Sequence, residues 1–262
     1  MNSFLSYLGG KSRLVSTIVP LIPKHKTYAE PFCGAAWVLF GKEPSPNEII
    51  NDINVDLVNL FRIVQNHLDE FVRYFRWVLI SRDEYARLKK VEASTLTDIQ
   101  RAARFFYMMR LGYAGKPSAG GQHFTVSKEK RPSMNLLRME ETLSEAHLRL
   151  AQVWIEQMPY DRFIEKYDRE GTFFYCDPPY HGSEKDYGNT FSFEDFTRLR
   201  DILLGLKGRF LLSINDTPEI REIFSPFMIG EAMTRWETRK TNRDVKELLI
   251  RNYRTEPASH SG

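Results

Sequence analysis

The chain has 262 residues, of which 42% are hydrophobic and 27% charged, with a formal net charge of +3. That length carries one large domain or one domain with a substantial insertion, and the composition excludes a disordered or fibrous chain. So small a net charge does not identify a nucleic-acid binder, and the placement of the basic residues counts for more than their sum.

Cys33 and Cys176 are the only cysteines, both in apolar contexts, which excludes a disulfide framework and a cysteine-based zinc site. The histidines at 25, 67, 123, 147, 181 and 260 show no ligand spacing, so no metal is expected. No charged-then-apolar leader opens the chain and no stretch approaches about 20 consecutive apolar residues. The expectation is a cytoplasmic protein with no membrane partner.

In chain order, residues 12–22 have helical apolar spacing with Ser12 placed to cap. Tyr28–Phe32 reads as a short strand entering a turn at Cys33-Gly34-Ala35-Ala36, and Trp37–Phe40 as a helix or buried turn. Glu48–Asp52 is a second strand ending in an acid, followed by a helix from about Asp56 to His67. Residues 69–110 read as helical throughout. The segment 112–135 is broken by Gly112, Gly115, Gly120, Gly121, Pro117 and Pro132 and is basic, and 136–150 is helical again. Strand and helix then alternate: Val153–Ile155, a helix near 160–167, Thr172–Cys176, a helix at 193–206, Arg209–Ile214, and a last strand over 246–253. Alternation at both ends predicts an α/β sheet, and the helical, basic middle an inserted second domain.

Three places carry chemistry. The first is the small-residue turn after Glu30, a fragment of a nucleotide-binding signature, paired with Asp52 about 20 residues on. In that order they suit an adenosine-bearing cofactor, its ribose hydroxyls on the acid, although Asn51-Asp52 could equally cap the following helix. The second is Tyr7-Leu8-Gly9-Gly10-Lys11, either a plain helix start or a cofactor contact. It is not a phosphate-binding loop, because the spaced upstream glycine and the preceding strand are missing.

The third is Asp177-Pro178-Pro179-Tyr180, directly after an apolar strand. Prolines stiffen this loop at the carboxyl edge of a sheet, where ligands bind in open α/β folds. It offers a carboxylate, a carbonyl outside the ladder and a flat ring. Those groups suit the methylation of an amino nitrogen: two acceptors for its N–H groups and a ring to stack on the base.

With these residues in order, the chain resembles the DNA adenine-N6 methyltransferases of the Dam-like (D12 class) group over roughly residues 5–60 and 165–253. Tyr7-x-Gly9-Gly10-Lys11 looks like that family's N-terminal cofactor motif, Glu30-Pro31-Phe32-x-Gly34 like its cofactor loop, Asn51–Asn54 like its acidic motif, and Asp177–Tyr180 like its catalytic tetrapeptide. Ser213–Thr217 and Glu247–Ile250 are similar to its later strands. Ala36 stands where a glycine often does, and Met109 and Ala114 replace the asparagines of an Asn-Arg-x-x-Phe/Tyr-Asn-Gly segment.

The resemblance implies a Rossmann-like S-adenosylmethionine-dependent methyltransferase sheet formed by residues 1–60 and 151–262, with 61–150 an inserted, mainly helical target-recognition domain. It further implies a monomer acting on a flipped-out adenine in double-stranded DNA. The implied catalytic residues are Asp177, Pro178 and Tyr180. The implied cofactor contacts are Tyr7, Lys11, Glu30, Phe32, Gly34, Asp52 and Asp177. DNA contacts are expected from Arg110, Tyr113, Lys116, Lys128, Lys130, Arg131 and Arg243, with Arg239 and Lys240 beside the last. Rival readings are amino-methyl transfer to RNA, cytosine N4 or a protein glutamine, and a non-enzymatic binder that has kept the fold.

Overall fold

A computed structural model describes residues 1–5, 11–112, 136–182, 191–238 and 241–254, leaving aside the side chains at 136, 137, 234–238 and 241–245. Its centre is a seven-stranded sheet: β1 Thr27–Glu30, β2 Asn47–Asn51, β3 Val153–Glu156, β4 Thr172–Cys176, β5 Arg209–Asn215, β6 Met228–Thr238 and β7 Thr241–Arg251. The strands lie in the order β3-β2-β1-β4-β5-β7-β6. All pairings from β3 to β5 are parallel, while β7 runs antiparallel to both β5 and β6. The chain leaves β1 toward β2 on one side and returns to β4 on the other. The carboxyl ends of β1 and β4 therefore flank a topological switch point, where a crevice opens in such sheets.

The strands are short, β-branched or aromatic, and apolar on both faces, as parallel strands covered by helices must be. Pleating sends alternate residues to opposite faces. Tyr28, Ile50, Phe173, Tyr175, Leu211 and Leu249 point into one core, and Ala29, Ile49, Phe174, Cys176, Leu212, Leu248 and Ile250 into the other. The first core is closed by α2 Trp37–Gly41, α3 Val55–Asn66, α4 Leu68–Phe75, α5 Arg82–Lys90, α6 Asp98–Leu111 and α7 Leu136–Leu150. The second is closed by α8 Tyr160–Tyr167, α9 Phe193–Leu204 and α10 Pro218–Ile223. Phe173 and Phe174 are each fully buried, and burial of a side chain of that size stabilises by about 2–3 kcal/mol. The helices of the 61–150 region pack their buried residues, among them Phe71, Phe106 and Leu143, into the same cluster as Tyr28 and Phe173.

Several expected elements differ. The helix expected over 12–22 is only α1 Val15–Ile18, followed by a 3-10 turn at Val19–Leu21. Its first turn is closed by the Leu14 and Val15 amides on the Lys11 carbonyl, not by Ser12. Pro20 disfavours the α conformation in the residue before it, which shortens the helix. The run 69–110 is three helices rather than one, because Ser81 caps α5 and Thr97 forms a capping box with Gln100 at the start of α6. β7 begins at Thr241, earlier than the strand expected over 246–253. Two elements carry no sequence expectation, α10 and the edge strand β6, in which Glu231, Thr234 and Arg235 blur any alternation. No helix among the described residues is long and apolar enough to cross a membrane.

Candidate active site

Pleating also builds the site. Glu30, Asp177, Ser213 and Glu247 keep the parity of Tyr28, Tyr175, Leu211 and Leu249, so all four sit on one sheet face at or just past the carboxyl edge. β7 reaches this edge only because it is antiparallel: its residue 247 pairs with Asn215 at the end of β5.

Lys11, brought in just before α1, is 4% exposed and places its ammonium between two carboxylates. Nζ is 3.0 Å from Asp177 Oδ1 and 3.1 Å from Glu247 Oε2. It also donates to the Tyr180 hydroxyl and stands 4.2 Å from the Tyr180 ring centroid. That hydroxyl donates to Glu247 Oε1 at 2.6 Å. Ser213 Oγ, itself paired with the Tyr175 hydroxyl at 2.8 Å, donates to Asp177 Oδ1 at 3.3 Å. Both contacts to Asp177 thus fall on Oδ1, and among the described residues Oδ2 takes neither a hydrogen bond nor an ion pair.

The Asp177 side chain is 22% exposed, an opening onto the cleft. Burial, with Glu247 adding to it against the opposing pull of Lys11, raises the Asp177 carboxyl to about 6. Among the described residues nothing donates to the Pro178 carbonyl, which lies outside the ladder as expected. The loop beyond is fixed by Asn215, whose side chain accepts from His181 N–H and donates to His181 C=O, both at 3.0 Å. Tyr180, expected as a stacking ring, is 8% exposed with its hydroxyl turned inward.

At β1 the Glu30 carboxyl, 1% exposed, accepts from the Tyr28 hydroxyl at 2.6 Å and from Leu39 N–H at 2.9 Å. It therefore satisfies an amide of the first turn of α2, which Ala36 at the N-cap has no side chain to reach. Burial raises the Glu30 carboxyl to about 8. The turn between them uses left-handed backbone at Gly34 (φ 47°) and Ala36 (φ 52°). Alanine costs about 1–2 kcal/mol there relative to glycine, so the departure at 36 falls on a position whose backbone favours glycine.

Asp52, just past β2, accepts from Gly34 N–H at 3.0 Å and Asn54 N–H at 2.9 Å, and burial raises its carboxyl above the ordinary value. The capping alternative falls to neither Asn51 nor Asp52: Asn54 caps α3, accepting from the Asp56 and Leu57 amides. Asn51 instead bridges Pro31 and Met158, tying the loops after β1 and β3 together. Phe32 packs against Tyr160 and Phe191 at ring separations of 5.2 and 5.7 Å.

Other expected residues stand apart. The guanidinium of Arg110 donates to the Phe4 carbonyl at 2.8 Å and lies over the Phe106 ring, and burial lowers its pKa. Met109 is buried in the core. Tyr7, Tyr113, Lys116, Lys128, Lys130, Arg131, Arg239 and Lys240 lie outside the described residues, as does the side chain of Arg243. Sequence reading gave no role to Ser213, Asn215 or Glu247 individually. Glu247 does carry a signal: an acid at an inward position of an apolar run, Leu248-Leu249-Ile250, is costly unless it has a partner.

A doubly wound sheet with a tight left-handed turn after β1, an acid after β2 and an Asp-Pro-Pro-Tyr loop after β4 defines a nucleotide-cofactor-dependent enzyme acting on an amino group. The family described as D12 class N6 adenine-specific DNA methyltransferase matches residues 7–241. The Type II methyltransferase M1.LlaDCHI of Lactococcus lactis subsp. cremoris is 29% identical over 280 residues, covering 97% of this chain and 96% of that protein. The Type II methyltransferase M.CviBI of Paramecium bursaria Chlorella virus NC1A is 25% identical, covering 97% of this chain and 100% of its own. The DNA adenine methylase of Escherichia coli K12 is 28% identical over 270 residues, covering 94% of each chain.

The chain belongs to the D12 class N6 adenine-specific DNA methyltransferase family. It is a DNA adenine-N6 methyltransferase, and its cofactor is S-adenosylmethionine. The residues present fit that cofactor: a buried carboxylate oriented by two backbone amides suits a ribose diol, and anionic groups outnumber Lys11 around Asp177, as suits a sulfonium.

Proposed function

We propose that the Lys11–Asp177–Tyr180–Glu247 cluster is the catalytic centre and that its substrate is an adenine turned out of a DNA duplex. One observation carries this reading: Asp177 is fixed through Oδ1 alone, beside an unclaimed Pro178 carbonyl. Those two acceptors suit the two N–H groups of an exocyclic amine. Accepting both localises the nitrogen lone pair, which is otherwise delocalised into the ring, so the site acts through positioning and electrostatics. With its carboxyl raised to about 6, Asp177 is a better acceptor than an ordinary aspartate for the proton the nitrogen sheds.

Tyr180, anchored inward by its hydroxyl, is read as the fixed wall on which the base rests. A stacked adenine cannot enter such a pocket, so the base is flipped out at about a few kcal/mol.

Asp52 would hold the ribose hydroxyls, with Gly34 and Phe32 shaping the adenosine side, Glu30 bracing the turn, and Tyr7 and Lys11 closing the other side. When bound, S-adenosylmethionine supplies an electrophilic methyl group. Residues 61–150 are read as the target-recognition region, with Tyr113, Lys116, Lys128, Lys130, Arg131 and Arg243 on the phosphates to offset the flipping cost. Arg110 belongs to that set only if it leaves Phe4. We read the protein as a cytoplasmic monomer, and the Type II names of two relatives support a place in restriction-modification.

Methyl transfer from labelled S-adenosylmethionine to adenine duplexes, RNA and protein acceptors in parallel tests the reading. Label in DNA adenine is expected; intact cofactor binding with no label in any DNA would sink it.

A further inference from the structure

Glu247 is 2% exposed on β7, and both contacts of its side chain are to site residues: Oε2 to Lys11 and Oε1 to the Tyr180 hydroxyl. Its neighbours Leu248, Leu249 and Ile250 are buried and apolar, and an apolar side chain at 247 would serve the strand at lower desolvation cost. A buried charge here is therefore explained by what it holds. Lys11 is the shared element. With a single carboxylate nearby, its ammonium would settle wholly on Asp177 and compete with an incoming N–H for that group. With two, it is held midway, at 3.0 and 3.1 Å. The same carboxylate fixes the Tyr180 hydroxyl from the side away from Asp177's loop, on a strand that reaches the edge only by running antiparallel.

We propose that Glu247 is a positioning residue of the methyl transfer, holding Lys11 Nζ and the Tyr180 hydroxyl so that Asp177 keeps Oδ2 for the adenine amino group. The inference rests on the catalytic reading of Asp177 given above. The charged and titratable groups facing Asp177 are Lys11 from the N-terminal turn, Glu30 from β1, Tyr175 from β4, Tyr180 from its own loop and Glu247 from β7. Of these, Glu247 adds negative charge that raises the Asp177 carboxyl, so its removal acts in a known direction.

The test is steady-state kinetics of Glu247→Gln and Glu247→Asp beside wild type, on one adenine-containing duplex, as a function of pH. Glu247→Gln is expected to lower kcat about ten- to a hundredfold with the cofactor KM within about threefold. It is also expected to move the acid limb of kcat/KM to lower pH, because the like charge on Asp177 is gone. Glu247→Asp keeps that charge and shortens its reach, so kcat falls while the acid limb stays.

Wild-type kcat and an unmoved acid limb in Glu247→Gln overturn the proposal. If Glu247→Gln does not fold, Glu247→Asp decides, and wild-type kcat there overturns it. Failure of both variants to fold assigns Glu247 to stability and overturns it as well. No transfer by wild type, in contrast, removes the catalytic reading itself.

Discussion

Two buried clusters, at opposite edges of the same sheet, use the same residue types to opposite ends. At the amino edge, Glu48 of β2 is 3% exposed and takes Lys42 at 2.5 Å, the Ser45 amide at 3.0 Å, and the Arg149 guanidinium through both oxygens. Lys42 lies 4.4 Å from the Tyr28 ring centroid, much as Lys11 lies beside Tyr180. One acid with two cations is held well as a carboxylate: hydrogen bonds from Arg149 and Lys42 outweigh burial and lower the Glu48 pKa. At the carboxyl edge the ratio is reversed, with two acids sharing one lysine, and the Asp177 pKa rises. The first arrangement is self-sufficient and fastens α7 to the sheet. The second has acceptor capacity left over and a side open to the cleft. What separates a fastening from a site here is the balance of charge and exposure, not residue type.

The largest expected break in this comparison is Asp177→Ala. Methyl transfer falls by at least about a thousandfold, as for loss of a group acting on the transition state, while DNA binding in a filter or fluorescence assay stays close to wild type. Comparable loss of DNA binding would make the carboxyl edge a fastening too. Glu48→Ala does the reverse. It leaves Lys42 and Arg149 buried without their acid and costs about 3–5 kcal/mol in denaturant unfolding, with kcat of the remaining folded enzyme little changed at low temperature.

A pH series sharpens the contrast without mutation. Asp177 must be ionised to accept N–H, and its folded value of about 6 lies above the ordinary 3.8. kcat/KM should therefore fall about tenfold per unit as pH drops below about 6. An acid limb near 4 would show that Asp177 is not the titrating group. For stability the sign runs the other way at Glu30. Its raised value means that the folded state binds the proton more tightly, so stability declines as pH rises from about 4.5 to about 8 and changes no further above that. The smallest effect is Asn54→Ala, which removes the α3 cap and costs about 1 kcal/mol in melting experiments, while Asp52 keeps its Gly34 contact.

The strands from β1 to β5 were legible because parallel strands buried on both faces print short apolar runs between glycine and proline breaks, and α8 was readable to the residue. The tetrapeptide was legible because its chemistry is contiguous. β6 was hidden by its polar edge residues, and the breaks in 69–110 by Ser81 and Thr97, whose capping outweighed an unbroken helical composition. The role of Glu247 was hidden for another reason. It depends on Lys11 and Tyr180, which only folding brings to it.

By itself, then, the amino-acid sequence determined an α/β sheet, an adenosine-type cofactor turn with its acid, and an amino-directed loop at Asp177–Tyr180. Each of these is local: a few residues specify a turn, a strand end or a pair of acceptors. Tertiary structure alone decided which groups share a charge. It brought Lys11 between Asp177 and Glu247, turned the Tyr180 hydroxyl inward, gave the α3 cap to Asn54 rather than Asp52, and aimed Arg110 at Phe4. Electrostatics in a buried site depends on distance and desolvation across the chain, and neither is written in the order of residues.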